Sequence, residues 1–433
     1  MHFVVRGGKP LRGEVKLAGS KNGATNLMVA TLLTDEPCTL HNFPAIGDTA
    51  ITGELCEKIG STIQVRDGVA TLHTPTIKQS RVTELSRRNR IPILAMGPLL
   101  ARAGEAEVPI LGGDKIGPRP VDFHLDALRA LGAEVEINKE SYFARAPQGL
   151  TGAVIDLPFP SVGATETSIL AGVLAKGETV ILNAALEPEI ISMVKMLQNM
   201  GAIIELGANR DIYIEGVSKL RGVVHEVISD RNEAVSFACL AIATGGEIFV
   251  RGAMQDHLIT FLNVVRRLGA EYKIISGGIT FTRPGLLKAI SVKTGTYPGF
   301  MTDWQQPLAV LLTQTNGTSR IHETIWEDRF AYAEDLRALG ANIQVSMECP
   351  SGKECRFAGK GFKHVAEIQG PAELKGDGKA LRVRDLRSGM INIIAALVSK
   401  GETKIEGVEE IDRGYERIDE RLRALGADIT RVS

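Results

Sequence analysis

The sequence predicts an α/β fold of two similar domains, each made of three copies of one repeated unit. Three observations carry this prediction. A tripeptide of an apolar residue, glycine and a small residue recurs six times, with its glycines at positions 60, 132, 201, 269, 340 and 426. Each copy ends a helical apolar pattern and begins an alternating strand pattern. A second helix, turn and strand marker, seen in VLAKGETVIL and ALVSKGETKI, runs in phase with the first.

Each repeated unit reads as strand, helix, strand, helix, strand and a short further strand. In DALRALGAEVEI, Leu128 and Leu131 share one helical face, and Gly132 stands where a left-handed helix C-cap is expected. Val135 and Ile137 then alternate with acidic residues, as in a half-buried strand. Such recurrent turns explain why 46 of the 433 residues are glycine, above the usual share of roughly 7%. A period of about 70 residues is too long for a solenoid, so we expect six small sheets with helices.

The last unit is longer than the others. Its glycines 340 and 426 are 86 positions apart, whereas the other spacings lie between 68 and 72. We expect an insertion of about 15 residues, in the polar stretch from Cys349 to Lys363. The five cysteines are scattered, and an odd number does not fit a disulfide framework. Because Cys349 and Cys355 lack the spacing and the partner histidine of a zinc site, we expect reduced, apolar cysteines and no metal.

Composition and charge restrict the class of protein. Lys plus Arg number 50 and Asp plus Glu number 51, which argues against a nucleic-acid partner bound through bulk positive charge. No apolar run approaches the ~18 residues that span a membrane, and no signal-like segment is recognisable. Two related domains imply a cleft between them, a preferred place for a small-molecule site. We therefore expect a cytoplasmic protein with small-molecule substrates and no membrane partner; the sequence does not predict its oligomeric state.

Two predicted helix starts are candidate anion sites. Lys21 and Asn22 begin an apolar helix in LAGSKNGATNLMVATLL. The unpaired N–H groups and the positive dipole end there suit an anion, and Lys21 adds a full charge. The alternative is an exposed lysine beside an asparagine cap. In PSVGATETSIL, Ser161, Val162 and Gly163 also precede a helix, where backbone N–H groups would bind; a plain N-cap explains them equally well.

A glycine-rich loop follows the third predicted helix, in VPILGGDKIGPRPVDFH. Three glycines let the backbone turn around Asp114 and Lys115, with Arg119 and Asp122 close behind. A loop of this composition suits a mobile lid over an anionic substrate. It is not a Walker A loop, because the GxxxxGK[ST] spacing is missing.

Further charged residues interrupt the apolar pattern at equivalent places in the later units. Single charges at such positions are usually solvated or structural, but their recurrence in register favours a shared site. They are Asp230, Glu233, Asp303, Arg329, Asp385, Arg387 and Arg413.

Seven segments, in order over essentially the whole chain, resemble the UDP-N-acetylglucosamine 1-carboxyvinyltransferases, a family of enolpyruvyl transferases. They are SKNGAT, GGDKIGPRPVDFH, SVGAT, TDWQQP, EDRF, DLRSG and IDRGYERIDERLRALGA. The resemblance implies two inverse α/β barrels of three βαβαββ units each. One domain would comprise residues 21–228, with the lid around 111–121, and the other residues 1–20 and 229–433. It also implies transfer of the enolpyruvyl group of phosphoenolpyruvate to the sugar 3′-hydroxyl, without cofactor or metal.

The resemblance further implies a role for each matching residue. Asp303 would be the base at the hydroxyl, and Asp114 the acid and base at C3 of phosphoenolpyruvate. The phosphate would lie among Lys21, Arg119 and Arg413, and the carboxylate among Arg329, Arg387 and Arg413. Arg90 belongs to the same cluster, and Asp385 would lie near the reacting centre. The residues similar to UDP-sugar contacts are Asn22, Ser161, Val162, Gly163, Thr324 and Ile325, with Pro120, Val121, Asp122 and Phe123 around the uracil.

The chain departs from the family pattern at two positions. Most members carry a cysteine in the lid where this chain has Asp114. A carboxylic acid can still protonate C3, so we expect catalysis to be retained and fosfomycin, which alkylates the cysteine, to inhibit weakly. Phe159 stands where some relatives carry a basic residue near the diphosphate, which would weaken that contact unless another cation supplies it.

Two other functions stay open. An enolpyruvyl transferase of the same fold could act on another acceptor, such as a nucleotide or shikimate 3-phosphate. A non-catalytic paralogue could bind UDP-sugars as a sensor. An enzyme is favoured, because degenerate paralogues usually lose charged catalytic residues first. Those present here are Lys21, Asp114, Arg119, Asp303, Arg329, Arg387 and Arg413.

Overall fold

A computed structural model describes residues 1–87, 89–112, 117, 120–350, 355–384 and 386–432, apart from the side chain of Arg387. Asp114, Arg119 and Asp385, together with that side chain, therefore lie outside the described residues. The chain folds into two compact units. The first unit comprises residues 19–112 and 120–228, and the second comprises residues 1–18, 117 and 229–432.

Strands and helices alternate along most of the described chain. The strands are β1 (His2–Arg6), β2 (Arg12–Lys16), β3 (Cys38–His41), β4 (Thr62–Arg66), β5 (Val69–His73), β6 (Glu105–Pro109), β7 (Glu134–Ile137), β8 (Ser141–Arg145), β9 (Val154–Asp156), β10 (Glu178–Leu182), β11 (Ile203–Leu206), β12 (Ile212–Glu215), β13 (Val224–Glu226), β14 (Glu247–Arg251), β15 (Glu271–Ile275), β16 (Gly278–Thr282), β17 (Leu287–Lys288), β18 (Ser291–Lys293), β19 (Thr315–His322), β20 (Asn342–Ser346), β21 (Val365–Gly370), β22 (Lys379–Arg382), β23 (Glu402–Glu406) and β24 (Asp428–Val432). The helices are α1 (Lys21–Ala30), α2 (Gly47–Ile59), α3 (Pro92–Ala103), α4 (Asp122–Ala130), α5 (Val162–Gly172), α6 (Pro188–Asn199), α7 (Arg231–Thr244), α8 (Gln255–Leu268), α9 (Gln305–Leu312), α10 (Tyr332–Ala338), α11 (Leu386–Val398), α12 (Val408–Ile411) and α13 (Ile418–Ala424).

Each unit contains three small sheets. In the first unit the strand orders are β13-β3-β5-β4, β6-β8-β7 and β11-β12-β10-β9. In the second unit they are β15-β16-β14-β2, β22-β23-β1-β24, and β17-β19-β21-β20 with β18 also paired to β19. A parallel pair joined through a helix leads into an antiparallel ribbon, as in β9, α5, β10, α6, β11 and β12. The α/β fold class of repeated βαβαββ units is confirmed.

Helices of two kinds cover these sheets. Helix α7 carries apolar and small residues on every face, and its residues from Arg231 to Ala243 are buried. A helix that is apolar all round is expected in the interior of a domain. Helix α8 instead buries one stripe, including Leu258, Phe261 and Leu268, and leaves its charged face to solvent. Each unit encloses its own hydrophobic core around such interior helices.

The predicted glycine turns are present in all six repeats. Gly269 ends α8 with φ 79° and ψ 17°, the left-handed conformation that side chains with a Cβ rarely adopt. The other five glycines of the tripeptide also have positive φ: Gly60, Gly132, Gly201, Gly340 and Gly426. The sequence-based interpretation of these glycines as helix ends is confirmed.

The apolar helices are short. Among the described residues, no helix combines the length and the apolar character needed to cross a bilayer.

Candidate active site

Lys21 lies at the first turn of α1, as predicted. Ser20 caps this helix by accepting a hydrogen bond from the backbone N–H of Gly23 at 3.2 Å. The ammonium Nζ of Lys21 lies 2.7 Å from Oδ2 of Asp48, at the start of α2. Asp48 is nearly buried, with a side chain 4% exposed. The charge of Lys21 is therefore held in place by a carboxylate that the sequence analysis did not single out.

A second group of predicted residues surrounds the start of α5. Ser161 caps this helix and accepts a hydrogen bond from the N–H of Ala164 at 3.4 Å. A Cβ on Gly163 would lie 2.7 Å from Cε1 of His124, so only glycine fits there. Nδ1 of His124 lies 2.8 Å from the hydroxyl of Thr167, which is on α5 like Gly163. His124 is thus a packing residue.

Burial sets the charge state of this group. Burial, and to a lesser extent the charge of Arg90, lowers the pKa of His124 to about 3. Burial also lowers the pKa of the Arg90 guanidinium from its ordinary value. Because an arginine starts far above neutral pH, Arg90 remains a cation beside a neutral imidazole. The charge of Arg90 therefore acts on the imidazole that packs against Gly163 at the start of α5.

The residues predicted to hold a uracil lie together at the start of α4. Val121 occupies the N-cap position, and Asp122 is the first helical residue. Pro120 and Asp122 are exposed, whereas Val121 and Phe123 are half-buried against the core of the first unit. This short segment has both apolar surface and an accessible carboxylate, so it could contact a base; that role stays a prediction.

In the second unit, Asp303 and Arg329 form an ion pair. Asp303 lies in a 3-10 turn, Thr302–Trp304, and its side chain is 22% exposed. The guanidinium of Arg329 donates a hydrogen bond to Oδ1 of Asp303 and is 1% exposed. Nε of Arg329 is buried and has no hydrogen-bond partner among the described residues. A partly accessible carboxylate thus lies directly beside a buried cation.

Glu323 organises the surroundings of this pair. It is fully buried, and its carboxylate accepts hydrogen bonds from the hydroxyls of Thr294 at 3.0 Å and Thr302 at 2.8 Å. The same carboxylate accepts from Nε2 of Gln305 at 3.0 Å and from the N–H of Ile325 at 2.6 Å. Glu323 therefore fixes both the turn that carries Asp303 and the segment that carries Ile325. Sequence reasoning missed it, because nothing local distinguishes it from a solvated glutamate.

Thr324, which directly precedes Ile325, is held by Thr294. Its hydroxyl donates to the carbonyl of Thr294 at 2.8 Å, and its N–H donates to the hydroxyl of the same residue at 2.8 Å. The predicted UDP-sugar contacts Thr324 and Ile325 thus lie on a backbone that is anchored at both residues. A rigid backbone is suited to hold a ligand in one orientation.

Three further predicted residues, Arg413, Asp230 and Glu233, form ion pairs or cap a helix. Arg413 is nearly buried and pairs with Glu410 at 2.9 Å at the end of α12. Asp230 caps α7 by accepting from the N–H groups of Asn232 and Glu233, and buried Glu233 pairs with Arg421 at 2.7 Å. Asp230 and Glu233 are therefore structural.

Outside these residues, four metal-ligating side chains cluster in the second unit: His322, Cys349, Cys355 and His364. The expectation that Cys349 and Cys355 lack a partner histidine is wrong. Strand β19 pairs antiparallel with β21, and His322 at the end of β19 lies opposite Val365. His364 directly precedes Val365, so the pairing brings the two histidines together. A contact between residues so far apart in the chain leaves no spacing motif in the sequence.

Comparison with known proteins shows which class of enzymes this chain resembles. The family described as EPSP synthase (3-phosphoshikimate 1-carboxyvinyltransferase) matches residues 5–422. The enolpyruvyl transferase NikO from Streptomyces tendae has the same fold, with a TM-score of 0.86 and 24% identity, over 99% of this chain and 98% of that one. The EPSP synthase of Acinetobacter baumannii also shares it, with a TM-score of 0.72 and 18% identity, over 99% of this chain and 100% of the other. The chain belongs to the enolpyruvyl transferases.

Similarity to curated proteins narrows the family. The UDP-N-acetylglucosamine 1-carboxyvinyltransferase of Protochlamydia amoebophila is 46% identical, over 99% of this chain and 94% of the relative. Those of Chlamydia pneumoniae and Caulobacter vibrioides are 45% and 40% identical, over 97% and 99% of this chain and 92% and 97% of the relatives. The chain is a member of the UDP-N-acetylglucosamine 1-carboxyvinyltransferase family.

Proposed function

We propose that the chain transfers the enolpyruvyl group of phosphoenolpyruvate to the 3′-hydroxyl of UDP-N-acetylglucosamine and releases phosphate, the first committed step of peptidoglycan precursor synthesis. The observation that carries the chemistry is the pairing of Asp303 with buried Arg329. The reaction needs a base at a hydroxyl and a cation for a carboxylate in close proximity, and this pair supplies both. The reaction would run in the cytoplasm, where phosphoenolpyruvate is made.

The reaction is an addition followed by an elimination. Asp303 accepts the proton of the 3′-hydroxyl while the oxygen adds to C2 of phosphoenolpyruvate and C3 gains a proton, which gives a tetrahedral ketal. Loss of a C3 proton and of phosphate then leaves the enolpyruvyl ether. We assign the C3 proton transfers to Asp114, whose carboxyl would act as an acid first and a base second.

Cations would neutralise the phosphate and the carboxylate of phosphoenolpyruvate. We assign Lys21, Arg119 and Arg413 to the phosphate, and Arg329, Arg387 and Arg413 to the carboxylate, with Arg90 in the same cluster. Supporting this, Lys21 and Arg413 are each oriented by a carboxylate, Asp48 and Glu410. Such pairing restricts a long side chain and so lowers the entropy lost on binding. Metal is not needed to neutralise the substrates in this assignment.

The UDP-sugar would contact backbone segments that are anchored or capped. We assign to it Asn22, Ser161, Val162, Gly163, Thr324 and Ile325, with Pro120, Val121, Asp122 and Phe123 around the uracil. Asp385 would lie near the reacting centre. We also propose that the first and second units are the two predicted domains.

An acceptor panel tests this function. Purified protein is supplied with phosphoenolpyruvate and, in separate reactions, UDP-N-acetylglucosamine, shikimate 3-phosphate or a uridine nucleotide without the sugar, and phosphate release is measured. Release with UDP-N-acetylglucosamine alone supports the proposal. Release with a different acceptor instead would transfer the assignment to that acceptor, and release with none would favour a non-catalytic binding protein.

A further inference from the structure

The insertion predicted between Gly340 and Gly426 lies between two paired strands. β20 ends at Ser346 and β21 begins at Val365, so residues 347–364 form their connection. The equivalent strands β4 and β5 are joined by only Asp67 and Gly68. The predicted location of the insertion is confirmed. A long connection in place of a two-residue hairpin turn needs interactions of its own to be held in one conformation.

Four potential metal ligands meet at the base of this connection. His322 ends β19, His364 immediately precedes β21, and Cys349 and Cys355 lie in the connection itself. One ligand atom from each of the four lies within 4.8 Å of every other. Nε2 of His322 is 3.3 Å from Sγ of Cys355 and 3.6 Å from Sγ of Cys349.

These separations match tetrahedral coordination. With Zn–S bonds of about 2.3 Å and Zn–N bonds of about 2.0 Å, tetrahedral angles place nitrogen and sulfur ligands about 3.5 Å apart. Two thiolates and two imidazoles are a ligand set typical of structural zinc. All five cysteines of the chain are thiols rather than disulfides, so both sulfurs can ligate.

The environment of His364 also suits a metal ligand. Its Nδ1 lies 2.7 Å from the carbonyl of Phe362, to which it can only donate, so the lone pair of the neutral ring is on Nε2. Nε2 is buried and has no hydrogen-bond partner among the described residues. A backbone carbonyl that fixes the tautomer of a histidine is the usual arrangement behind a metal ligand.

The surroundings are rigid and largely closed to solvent. His322, His364 and Cys355 are 4%, 1% and 6% exposed. The backbone of His364 is hydrogen-bonded to Glu323 on one side and Ser346 on the other. Phe357 packs against the ring of His364 with centroids 5.8 Å apart. Ligand atoms held in this way lose little entropy when a metal binds.

We propose that His322, Cys349, Cys355 and His364 form a structural site for a tetrahedral, thiophilic divalent metal, Zn²⁺ by chemical class. Binding releases the two thiol protons, and the resulting thiolates balance the charge of the ion. The site closes the inserted connection onto the ends of β19, β20 and β21. It is independent of the proposed function, because none of its ligands takes part in the reaction.

The site would also support the active-site segment. Glu323, which follows His322 directly, is the carboxylate that holds the hydroxyl of Thr302 and the N–H of Ile325. Metal at His322 would restrain the end of β19 from which Glu323 projects. Its removal is expected to lower thermal stability first and the affinity for UDP-N-acetylglucosamine second.

Metal analysis of the intact protein tests the proposal. Protein produced with added zinc and purified under reducing conditions without chelator is expected to contain about one Zn²⁺ per chain by mass spectrometry. After removal of the zinc, addition of Co²⁺ should produce thiolate-to-cobalt charge-transfer absorption and the visible bands of tetrahedral cobalt. The cobalt spectrum requires no variant, so it remains informative if a ligand substitution prevents folding.

Matched variants locate the metal. Cys349→Ser and Cys355→Ser should lose the bound zinc and the charge-transfer band, whereas Cys38→Ser, which removes a buried thiol from the first unit, should keep both. Two results would overturn the proposal. One is a reduced wild-type protein that binds neither Zn²⁺ nor Co²⁺, including the case in which peptide mapping finds a Cys349–Cys355 disulfide. The other is unchanged metal content in both ligand variants.

Discussion

The carboxylate of Asp303 has two roles. It neutralises buried Arg329, and in the proposed reaction it accepts a proton. A guanidinium at hydrogen-bond distance favours the ionised form of a carboxylate. An ionised carboxylate that is 22% exposed can reach a substrate hydroxyl. The pair therefore holds the carboxylate in position.

The first prediction concerns this carboxylate. Asp303→Asn keeps the shape of the side chain but removes the base, so kcat should fall by about 10²–10⁴-fold. Steady-state phosphate release measures the loss, and calorimetric binding of UDP-N-acetylglucosamine should change little. Asp256→Asn, an exposed aspartate at the first turn of α8, is the matched control and should retain full activity. An Asp303→Asn enzyme with wild-type kcat would remove Asp303 from the role of base.

The second prediction concerns the lid residue Asp114, which lies outside the described residues. Asp114→Asn cannot deliver a proton to C3, so turnover should be abolished while UDP-sugar affinity stays nearly unchanged. The wild-type protein should resist fosfomycin, because the epoxide has no cysteine in the lid to alkylate. Asp114→Cys should introduce time-dependent inactivation. Rapid inactivation of the wild type at low fosfomycin concentration would contradict this interpretation.

At the scale of the secondary-structure element, the start of α5 depends on close packing against His124. The N–H groups of this turn are available to a ligand only while the helix keeps its position. Gly163 makes that position possible, because a Cβ there would lie 2.7 Å from the imidazole. His124 cannot yield easily, since it is buried and bonded to Thr167.

Gly163→Ala should therefore destabilise the protein by about 1–3 kcal/mol, the usual cost of overpacking. Affinity for the UDP-sugar should fall with it, because α5 must shift. Gly53→Ala in α2 is the matched control: its nearest neighbour would be 3.7 Å away, and alanine favours a helix interior. Thermal unfolding of both variants tests this prediction. Equal stability of the two variants would show that the contact between residue 163 and His124 does not limit stability.

Helices α1 and α5 are also joined through a buried carboxyl. Nδ2 of Asn26 donates to Oε1 of Glu166. Burial, followed by the charges of Glu189 and Glu187, raises the pKa of Glu166 well above its ordinary value of 4.5. The folded state thus holds this proton to a higher pH than the unfolded state does. Its contribution to stability is present at low pH and is lost as pH rises from about 4.5 through the folded-state pKa.

Glu166→Gln should remove this pH dependence. The free energy of unfolding of the wild type, taken relative to the variant, should decrease as pH rises above about 4.5, because only the wild type must retain a proton. Denaturant unfolding at a series of pH values measures the difference. Glu178→Gln, at an exposed position of β10, should run parallel to the wild type. A constant difference between wild type and Glu166→Gln would mean that Glu166 is ionised in the fold.

At the scale of the whole molecule, the repeat was predictable because its signals are local. A glycine with positive φ at a helix end, or a serine that caps α5, is specified by a few neighbouring residues. The six turns and the order of strands and helices follow from such signals. The positions of Lys21 and Asp303 were predictable for the same reason, since each begins a helical segment and matches a family motif.

Other parts of the sites were not predictable, because they depend on contacts between distant residues. Lys21 is held by Asp48 from the next helix, and nothing at position 48 indicates a partner. Glu323 acquires its role from the hydroxyls of Thr294 and Thr302 and from the backbone N–H of Ile325. His322 and His364 meet two cysteines only because β19 pairs with β21.

The central claim is that the chain joins phosphoenolpyruvate to UDP-N-acetylglucosamine by addition and elimination. Running the reaction in D₂O tests both parts at once, with the product analysed by mass spectrometry and NMR. The expected product is the 3′-enolpyruvyl ether with deuterium at C3, because that carbon gains a solvent proton during addition and loses one during elimination. Absence of the ether, or an ether whose C3 contains no deuterium, would contradict the proposed function and its mechanism.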